Sequence, residues 1–225
     1  MNESIALFGG TFNPFHNGHM TIIKSAIDNF KFSKLIVMPA FISPLKDVSG
    51  GWDSNMRYLM TGVSIFYFQP DELNRNSNLK KNPAKWEKFI EFYSKNFPLN
   101  HNPDVVLSDF EIKKGGVSYT IDSLTYLKSI YPHSEISIII GLDEASMLEK
   151  WKDYKKIFEI AKFLVVRRPG FDEKEVLKKF PQLIFFPFEE VNISSTEIRE
   201  KIKRGEDISN YIPPVLKMFL DSLIN

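Results

Sequence analysis

The chain has 225 residues, of which 43% are hydrophobic and 25% charged, a composition typical of a folded globular protein. Its formal net charge of +1 argues against a nucleic-acid or membrane-surface role, because both usually require a basic face. The lack of cysteine excludes disulfides and zinc–thiolate sites, and no apolar run reaches the roughly 18 residues of a membrane span. Nothing near Met1 resembles a signal peptide, so we expect a cytoplasmic protein with no membrane or nucleic-acid partner.

Apolar runs alternate with helical patterns along most of the chain. The strand candidates are Ser4–Phe8, Leu35–Met38, Val105–Leu107, Ile136–Ile140, Phe163–Val166 and Leu183–Phe186. Near-continuous apolar strands separated by helices indicate a parallel sheet that is covered on both faces. We therefore predict the α/β class, with residues 1–225 forming one domain built on a doubly wound, Rossmann-like sheet. The ligand site of such a sheet lies at the carboxyl ends of its strands.

Helices are predicted where apolar residues recur at i, i+3, i+4 and i+7. Two such sets are Ile23, Ala26, Ile27 and Phe30, and Tyr154, Ile157, Phe158 and Ala161. Near the end of the chain, Ser194 to Glu197 form a capping box that starts a helix, and Gly205 is a suitable stop. Pro213 and Pro214 then open a last helix, whose apolar stripe is Leu216, Phe219, Leu220 and Leu223.

Two of the four histidines, His16 and His19, lie close together after the first strand. The run GGTFNPFHNGH predicts a strand, a turn and a helix, with His16 just before the helix and His19 in its first turn. Free backbone amides and the positive end of the helix dipole at this place suit an anion. Two imidazole donors would complete a site for a chain of phosphates. The alternative is a turn with two solvated or loosely packed histidines.

Together with later segments, this run resembles the signature of the HxGH nucleotidyltransferases, which attach a nucleotide to a phosphorylated acceptor and release pyrophosphate. The segment from Asp109 to Thr120 resembles the substrate loop of nicotinate-nucleotide adenylyltransferases. Further motifs follow in that family's order: Gly141-Leu142-Asp143, Trp151, Arg167-Arg168-Pro169-Gly170 and Ile193 to Arg199. The resemblance covers nearly the whole chain except about residues 66–104, and these ordered motifs together are far more specific than any one of them.

The resemblance implies that His16 and His19 contact the ATP phosphates, preferably as cations, and that Lys46 is the next positive contact. Leu45 stands where the family usually has a histidine, which removes one donor on the phosphate side. The implied ATP-binding residues are Gly9, Gly10, Thr11, Phe12, Gly141, Asp143, Ser194, Ser195 and Arg199. No role is assigned to Arg168, which we expect to border this site or that of the acceptor.

Several of these residues also have plainer explanations. Ser194 and Ser195 at a helix start form a nest suited to phosphate, and Arg199 shares their face, but an ordinary N-cap with a solvated arginine has the same pattern. Asp143 after an apolar strand could accept hydrogen bonds from ribose hydroxyls, or could simply cap a helix. The resemblance favours the binding roles in both cases.

The acceptor site is implied by aromatic residues and a helix start. Tyr119 and Trp151 offer faces on which a pyridinium ring could stack, although they could also be core aromatics. Thr120 is expected to be the N-cap of a helix with Ile121, Leu124 and Leu127, so that its amide end could bind the ring carboxylate. A neutral carboxamide would gain less there, which favours the acid form of the substrate.

The middle of the chain, at about 66–104, is expected to be an insertion that is atypical of the family. Asp71 to Asn82 is polar and predicts a mobile loop. An amphipathic helix follows, ending before Pro98, with its stripe at Trp86, Phe89, Ile90 and Tyr93. This stripe must pack on the domain core, act as a lid or form a contact between subunits.

The resemblance implies adenylyl transfer from ATP to nicotinate mononucleotide, giving nicotinate adenine dinucleotide and pyrophosphate in NAD biosynthesis. Alternatives are an adenylyltransferase for nicotinamide mononucleotide or another phosphorylated acceptor such as phosphopantetheine, or a nucleotide-binding module without turnover. Mg²⁺ is expected to travel on the ATP phosphates, since no cluster of carboxylates has metal-ligand spacing. A homo-oligomer is compatible with the sequence.

Overall fold

A six-stranded, all-parallel sheet forms the centre of the computed structural model, which describes residues 3–45, 50–75, 80–167, 171–189 and 191–223. The strands are β1 (Ser4–Gly10), β2 (Lys34–Pro39), β3 (Val105–Leu107), β4 (Glu135–Gly141), β5 (Ala161–Val166) and β6 (Ile184–Phe185). Their spatial order is β3-β2-β1-β4-β5-β6. This is the doubly wound order, so the predicted fold class is confirmed.

Helices connect the strands and cover both faces of the sheet. They are α1 (Asn17–Asn29), α2 (Ser54–Ser64), α3 (Pro70–Arg75), α4 (Pro83–Asn100), α5 (Phe110–Lys114), α6 (Thr120–Ile130), α7 (Leu142–Ala145), α8 (Tyr154–Ile160), α9 (Glu173–Lys179), α10 (Ser195–Lys203) and α11 (Pro214–Ser222), with a 3₁₀ turn at Leu148–Lys150. In the described parts of the chain, no helix is both long and apolar enough to cross a membrane.

Alternate residues of β1 separate the core into two layers, because successive side chains of a strand point to opposite faces. Ala6 and Phe8 join the layer that contains residues of α1, α2, α4, α10 and α11. Ile5 and Leu7 join the opposite layer, which contains residues of α6, α8 and α9. Burial on both faces explains why these strands are almost continuously apolar.

The stripe of α4 lies in the first of these layers. Trp86, Phe89 and Tyr93 are buried, and the ring centroids of Phe89 and Phe219 of α11 are 5.4 Å apart. The Tyr93 hydroxyl donates a hydrogen bond of 2.9 Å to the Phe68 carbonyl. Of the three alternatives for this stripe, the described residues support packing on the domain core.

Three predicted boundaries are wrong. Helix α4 continues through Pro98, because a proline in the last turn removes only the bond to Ser94, which is exposed and can be solvated. Part of the predicted loop is helical, since α3 buries Leu73; residues 76–79 of that loop lie outside the described residues. Ala161 is not in a helix but opens β5, where it pairs with Ile136.

We predict that Phe89→Ala lowers the free energy of unfolding by about 3–5 kcal/mol, because it leaves a cavity among packed rings. For a chain of this size the melting temperature should fall by roughly 6–20 °C. Leu99→Ala on the same helix is the matched control, since Leu99 is 83% exposed and Phe89 is 0% exposed. Thermal denaturation of both variants measures the difference, and equal shifts would contradict core packing of α4.

Candidate active site

Two cavities meet at the carboxyl ends of β1 and β4, where the strand order changes direction. Ligands of open α/β sheets bind in the crevice at this switch point. The cavity toward β4, α1 and α10, called here the ATP cavity, holds about 1730 Å³ of open space, solvent at its mouth included. The second, called the acceptor cavity, holds about 950 Å³ on the same basis. Their common wall is Gly9, Gly10, Thr11 and Glu144.

The ATP cavity contains all nine residues for which an ATP-binding role was implied, together with both histidines. Its lining includes Gly9, Gly10, Thr11, Phe12, His16, His19, Gly141, Asp143, Ser194, Ser195 and Arg199. These residues come from three separate parts of the chain, the ends of β1 and β4 and the start of α10. The structure therefore brings them together in one cavity.

The imidazoles of His16 and His19 are stacked, with ring centroids 3.6 Å apart and planes inclined by 25°. His16 is the N-cap of α1, and its backbone N–H donates to Nδ1 of His19 at 3.1 Å. A ring nitrogen that accepts a hydrogen bond carries no proton, so His19 in this geometry is the neutral tautomer with its proton on Nε2. The cationic form favoured by the sequence argument would have to break this bond.

Gly18 lies between the two histidines, where a larger residue would crowd the His16 ring. A Cβ at Gly18 would approach the His16 ring to 3.1 Å, closer than most side-chain contacts. The amide of Asn17 in the same turn is not available to an anion, since it donates to the Tyr211 carbonyl at 2.9 Å. The start of α1 thus offers fewer backbone donors than the sequence suggested, and the imidazoles carry more of the donor capacity.

The start of α10 is tied to the loop that follows β1. Ser194 caps the helix by accepting from the Glu197 amide at 3.1 Å, as predicted, and Gly205 beyond its end has φ of +70°. The Ser195 hydroxyl donates to the Pro14 carbonyl at 3.0 Å, and Arg199 donates to the Asn13 carbonyl at 2.9 Å. Each of these residues therefore has a structural partner as well as a place in the cavity wall.

The acceptor cavity contains the three residues expected there. Tyr119, Thr120 and Trp151 line it together with the exposed Lys150 and Lys152. The Lys152 ammonium is 4.5 Å from the centroid of the Tyr119 ring. Among the described residues, Nε1 of the partly buried Trp151 has no hydrogen-bond partner, which suits a wall that awaits a ligand.

One detail of this cavity differs from the sequence prediction. The N-cap of α6 is Tyr119, so Thr120 is the first helical residue and not the cap. The amides of Asp122 and Ser123 bond to the Tyr119 carbonyl at 2.9 and 3.4 Å. In the described chain this leaves the amides of Thr120 and Ile121 as the first-turn donors that could meet a carboxylate.

The segment with Leu45 borders the acceptor cavity. Ser43, Pro44 and Leu45 line its wall, and Leu45 is 41% exposed. Because this position is absent from the ATP cavity lining, its effect is expected on the acceptor and not on ATP. Lys46 and Arg168 lie outside the described residues. The contact of Lys46 with the phosphates and the place of Arg168 beside the ATP or the acceptor site therefore stay predictions.

Two buried charged residues escaped sequence analysis. Arg57 of α2 is 2% exposed and donates to the carbonyls of Thr11 at 2.6 Å and Phe41 at 2.9 Å. Burial lowers the pKa of Arg57, and the charges of Asp53 and Glu111 oppose this effect. A lone arginine among Met56, Tyr58 and Leu59 gave no signal that it would be buried.

The other residue, Glu111, is 8% exposed and lines the acceptor cavity. Its carboxyl accepts a hydrogen bond of 2.5 Å from the Ser123 hydroxyl. Burial raises the pKa of Glu111, while hydrogen bonds from Ser123 and Ser118 and the charge of Lys114 lower it. The sequence motif contained Glu111, but only the fold shows that its carboxyl is enclosed.

The chain is similar to known proteins of one family. A family model described as cytidylyltransferase-like matches residues 7–201. A probable nicotinate-nucleotide adenylyltransferase of Clostridium tetani is 34% identical over 216 residues, which are 92% of this chain and 91% of the relative. One of the same description from Clostridium botulinum is 31% identical over 224 residues, covering 96% and 94% of the two chains.

Solved structures show the same fold. A putative nicotinate-nucleotide adenylyltransferase from Vibrio parahaemolyticus aligns with a TM-score of 0.61 at 23% identity, covering 97% of this chain and 99% of that one. Plasmodium falciparum nicotinic acid mononucleotide adenylyltransferase complexed with NaAD aligns with a TM-score of 0.69 at 19% identity, covering 98% and 96%. By its sequence relatives and its family model, the chain belongs to the cytidylyltransferase-like family and, within it, to the nicotinate-nucleotide adenylyltransferases.

Proposed function

We propose that the protein transfers the adenylyl group of ATP to nicotinate mononucleotide, giving nicotinate adenine dinucleotide and pyrophosphate. The observation that carries this proposal is the wall of Gly9, Gly10, Thr11 and Glu144 that the two cavities share. A triphosphate in one cavity and a mononucleotide in the other would meet at this wall. The relatives' names and the NaAD-bound Plasmodium neighbour support the choice of substrates.

The reaction requires no nucleophile from the protein. An oxygen of the acceptor phosphate forms a bond to the α-phosphorus of ATP, and the bond from that phosphorus to the bridging oxygen breaks, so that pyrophosphate leaves with the electron pair. Such transfers depend on alignment of the two substrates and on stabilisation of charge. The protein's contribution is then to hold the two phosphates in line and to donate hydrogen bonds to oxygens on which charge builds.

The histidine pair is the proposed source of those donors. Because Nδ1 of His19 accepts from the backbone N–H of His16, Nε2–H is the proposed donor of this ring. Stacking against His16 fixes the orientation of this ring before any substrate binds. A donor that is already oriented stabilises the transition state without further reorganisation, which is why such groups are effective. Lys46 is proposed as an additional positive contact, on the family resemblance alone.

Arg199 and the start of α10 are proposed to contact the β- and γ-phosphates. A guanidinium has five N–H donors, and the bonds of Arg199 to Asn13 and Thr196 use only two of them. Asp143, after β4, is proposed to accept from the ribose hydroxyls. Mg²⁺ would be carried by the triphosphate, since no group of three His, Cys, Asp or Glu in the described residues could hold a metal ion.

The acceptor is proposed to place its pyridinium ring against Tyr119 and Trp151, with its carboxylate at the amides of Thr120 and Ile121. We also propose a cytoplasmic location, because a chain without cysteine suits a reducing compartment. Pyrophosphate release with ATP and each mononucleotide in turn tests the whole proposal. A chain that binds ATP but releases no pyrophosphate with any acceptor would be a nucleotide-binding module instead.

We predict that His19→Ala lowers kcat by about 10²–10³, the usual effect of removing one oriented donor from a transition state. The variant should remain folded, which its melting temperature checks. His133→Ala is the matched control, because His133 is exposed and absent from the lining of either cavity. Turnover of His19→Ala within about threefold of the unmodified protein would contradict the proposed mechanism.

Nicotinate mononucleotide should exceed nicotinamide mononucleotide by at least about tenfold in kcat/KM, because a hydrogen bond to a charged group contributes roughly 1.5–3 kcal/mol. If the backbone amides of α6 are responsible, Lys152→Ala should keep most of this preference. Loss of the preference in Lys152→Ala would assign it to the ammonium above Tyr119 instead. Equal use of both substrates by the unmodified protein would mean that the cavity does not select the acid.

A further inference from the structure

Arg57 joins two backbone segments that belong to different parts of the site. Its two terminal nitrogens donate to the carbonyls of Thr11, just beyond β1, and Phe41, just beyond β2. Thr11 lies in the wall common to both cavities, whereas the chain after Phe41 continues into Ser43 and Pro44 of the acceptor cavity. One guanidinium therefore sets the separation of these two segments.

The strands alone do not set that separation. Among the described residues, one backbone hydrogen bond joins the two segments beyond the last pair of β1 and β2, Gly10 with Pro39: the Ala40 amide donates to the Gly10 carbonyl at 2.9 Å. Past this point the carbonyls of Thr11 and Phe41 both accept from Arg57. The bonds from Arg57 to these two carbonyls are partly buried. A carbonyl shielded from water requires a donor, and a rigid planar fork supplies two donors in fixed geometry.

The buried Ser118 links the Phe41 segment to the far wall of the acceptor cavity. The Phe41 amide donates to the Ser118 hydroxyl oxygen at 3.0 Å, and the Ser118 amide donates to the Ile42 carbonyl at 2.8 Å. The Ser118 hydroxyl in turn bonds to the enclosed carboxyl of Glu111. Hydrogen bonds thus run without a gap from Thr11 through Arg57 and Phe41 to Ser118, one residue before Tyr119.

We propose that Arg57 is a positioning residue. It holds the Thr11 segment of the common wall at a fixed distance from the Phe41 segment, which leads into the acceptor cavity, so that the acceptor oxygen and the α-phosphorus are aligned. This inference rests on the proposed function. Arg57 touches neither substrate in this arrangement, since it is absent from the lining of either cavity. Its removal should therefore leave each substrate bound to its own wall but misplace one relative to the other.

Misalignment has a distinct kinetic signature. A displacement of about 1 Å can lower the rate of such a transfer about 10²-fold, while binding of each substrate alone is little changed. We expect Arg57→Met, which removes all five donors, to lower kcat at least about 30-fold. Arg57→Lys should be intermediate, because an ammonium is a single point of charge that cannot span both carbonyls as a planar fork does.

The matched control is Thr61→Val on the same helix. Thr61 is fully buried, and its hydroxyl donates to the Arg57 carbonyl at 2.8 Å, so the valine variant loses stability without changing the guanidinium. Calorimetric titration with a non-hydrolysable ATP analogue and, separately, with the mononucleotide measures binding to each cavity. We expect both dissociation constants in Arg57→Lys to stay within about threefold of the unmodified protein, and Thr61→Val to keep its kcat.

Amide hydrogen exchange provides a readout that is independent of activity. The amides of Ala40, Phe41 and Ser118 should exchange faster in Arg57→Lys and stay protected in Thr61→Val. The inference is overturned if amide protection in Arg57→Lys is unchanged, or if the kcat of this folded variant stays within threefold of the unmodified protein. It is also overturned if weaker substrate binding accounts for the whole loss of kcat/KM in the variant. If Arg57→Met does not fold, the lysine variant decides alone. No turnover in the unmodified protein with any mononucleotide would instead overturn the proposed function, and the exchange measurement would still test Arg57.

Discussion

The parallel pairing of β1 with β2 on one side and with β4 on the other is the constraint on which the site depends. All three strands end at the same edge of the sheet, so the loops that follow them must share one crevice. The loop after β1 cannot cover both neighbours, and it becomes the wall between two cavities. Donor and acceptor can then approach the same few residues, Gly9 to Thr11, from opposite sides.

Buried polar side chains give these loops their shape. Asn13 is 3% exposed; its amide accepts from the Trp52 N–H at 3.1 Å and donates to the Gly50 carbonyl at 3.4 Å. Arg57 forms hydrogen bonds with the loop after β2, and Glu111 with the loop after α5. A polar group inside a protein is costly unless it is hydrogen-bonded, so each of these side chains is stable only when its loop has the right conformation. The result is a site with defined walls before substrate binds.

The histidine pair shows how helix capping and chemistry share the same atoms. The bond from His16 N–H to His19 Nδ1 satisfies one amide at the start of α1. Because Nδ1 accepts this bond, the proton of the His19 ring lies on Nε2. The N-cap geometry thus orients the donor that the proposed mechanism uses. A change that weakened this cap would alter the proton position as well as the helix.

The sequence by itself determined the strands, most of the helices and the residues that line the cavity beside His16 and His19, because apolar periodicity and local motifs such as the one around His16 act over a few residues. The tertiary structure decided the rest. It placed Ser194, Ser195 and Arg199 beside the loop after β1, buried the stripe of α4 against α11, and extended α4 past Pro98. The burial of Arg57 and of Glu111 could not be found from the sequence, since a charged residue shows its burial only when distant segments supply its partners. Hydrogen bonds across 46 positions, such as that from Arg57 to Thr11, depend on the pairing of strands and leave no local pattern.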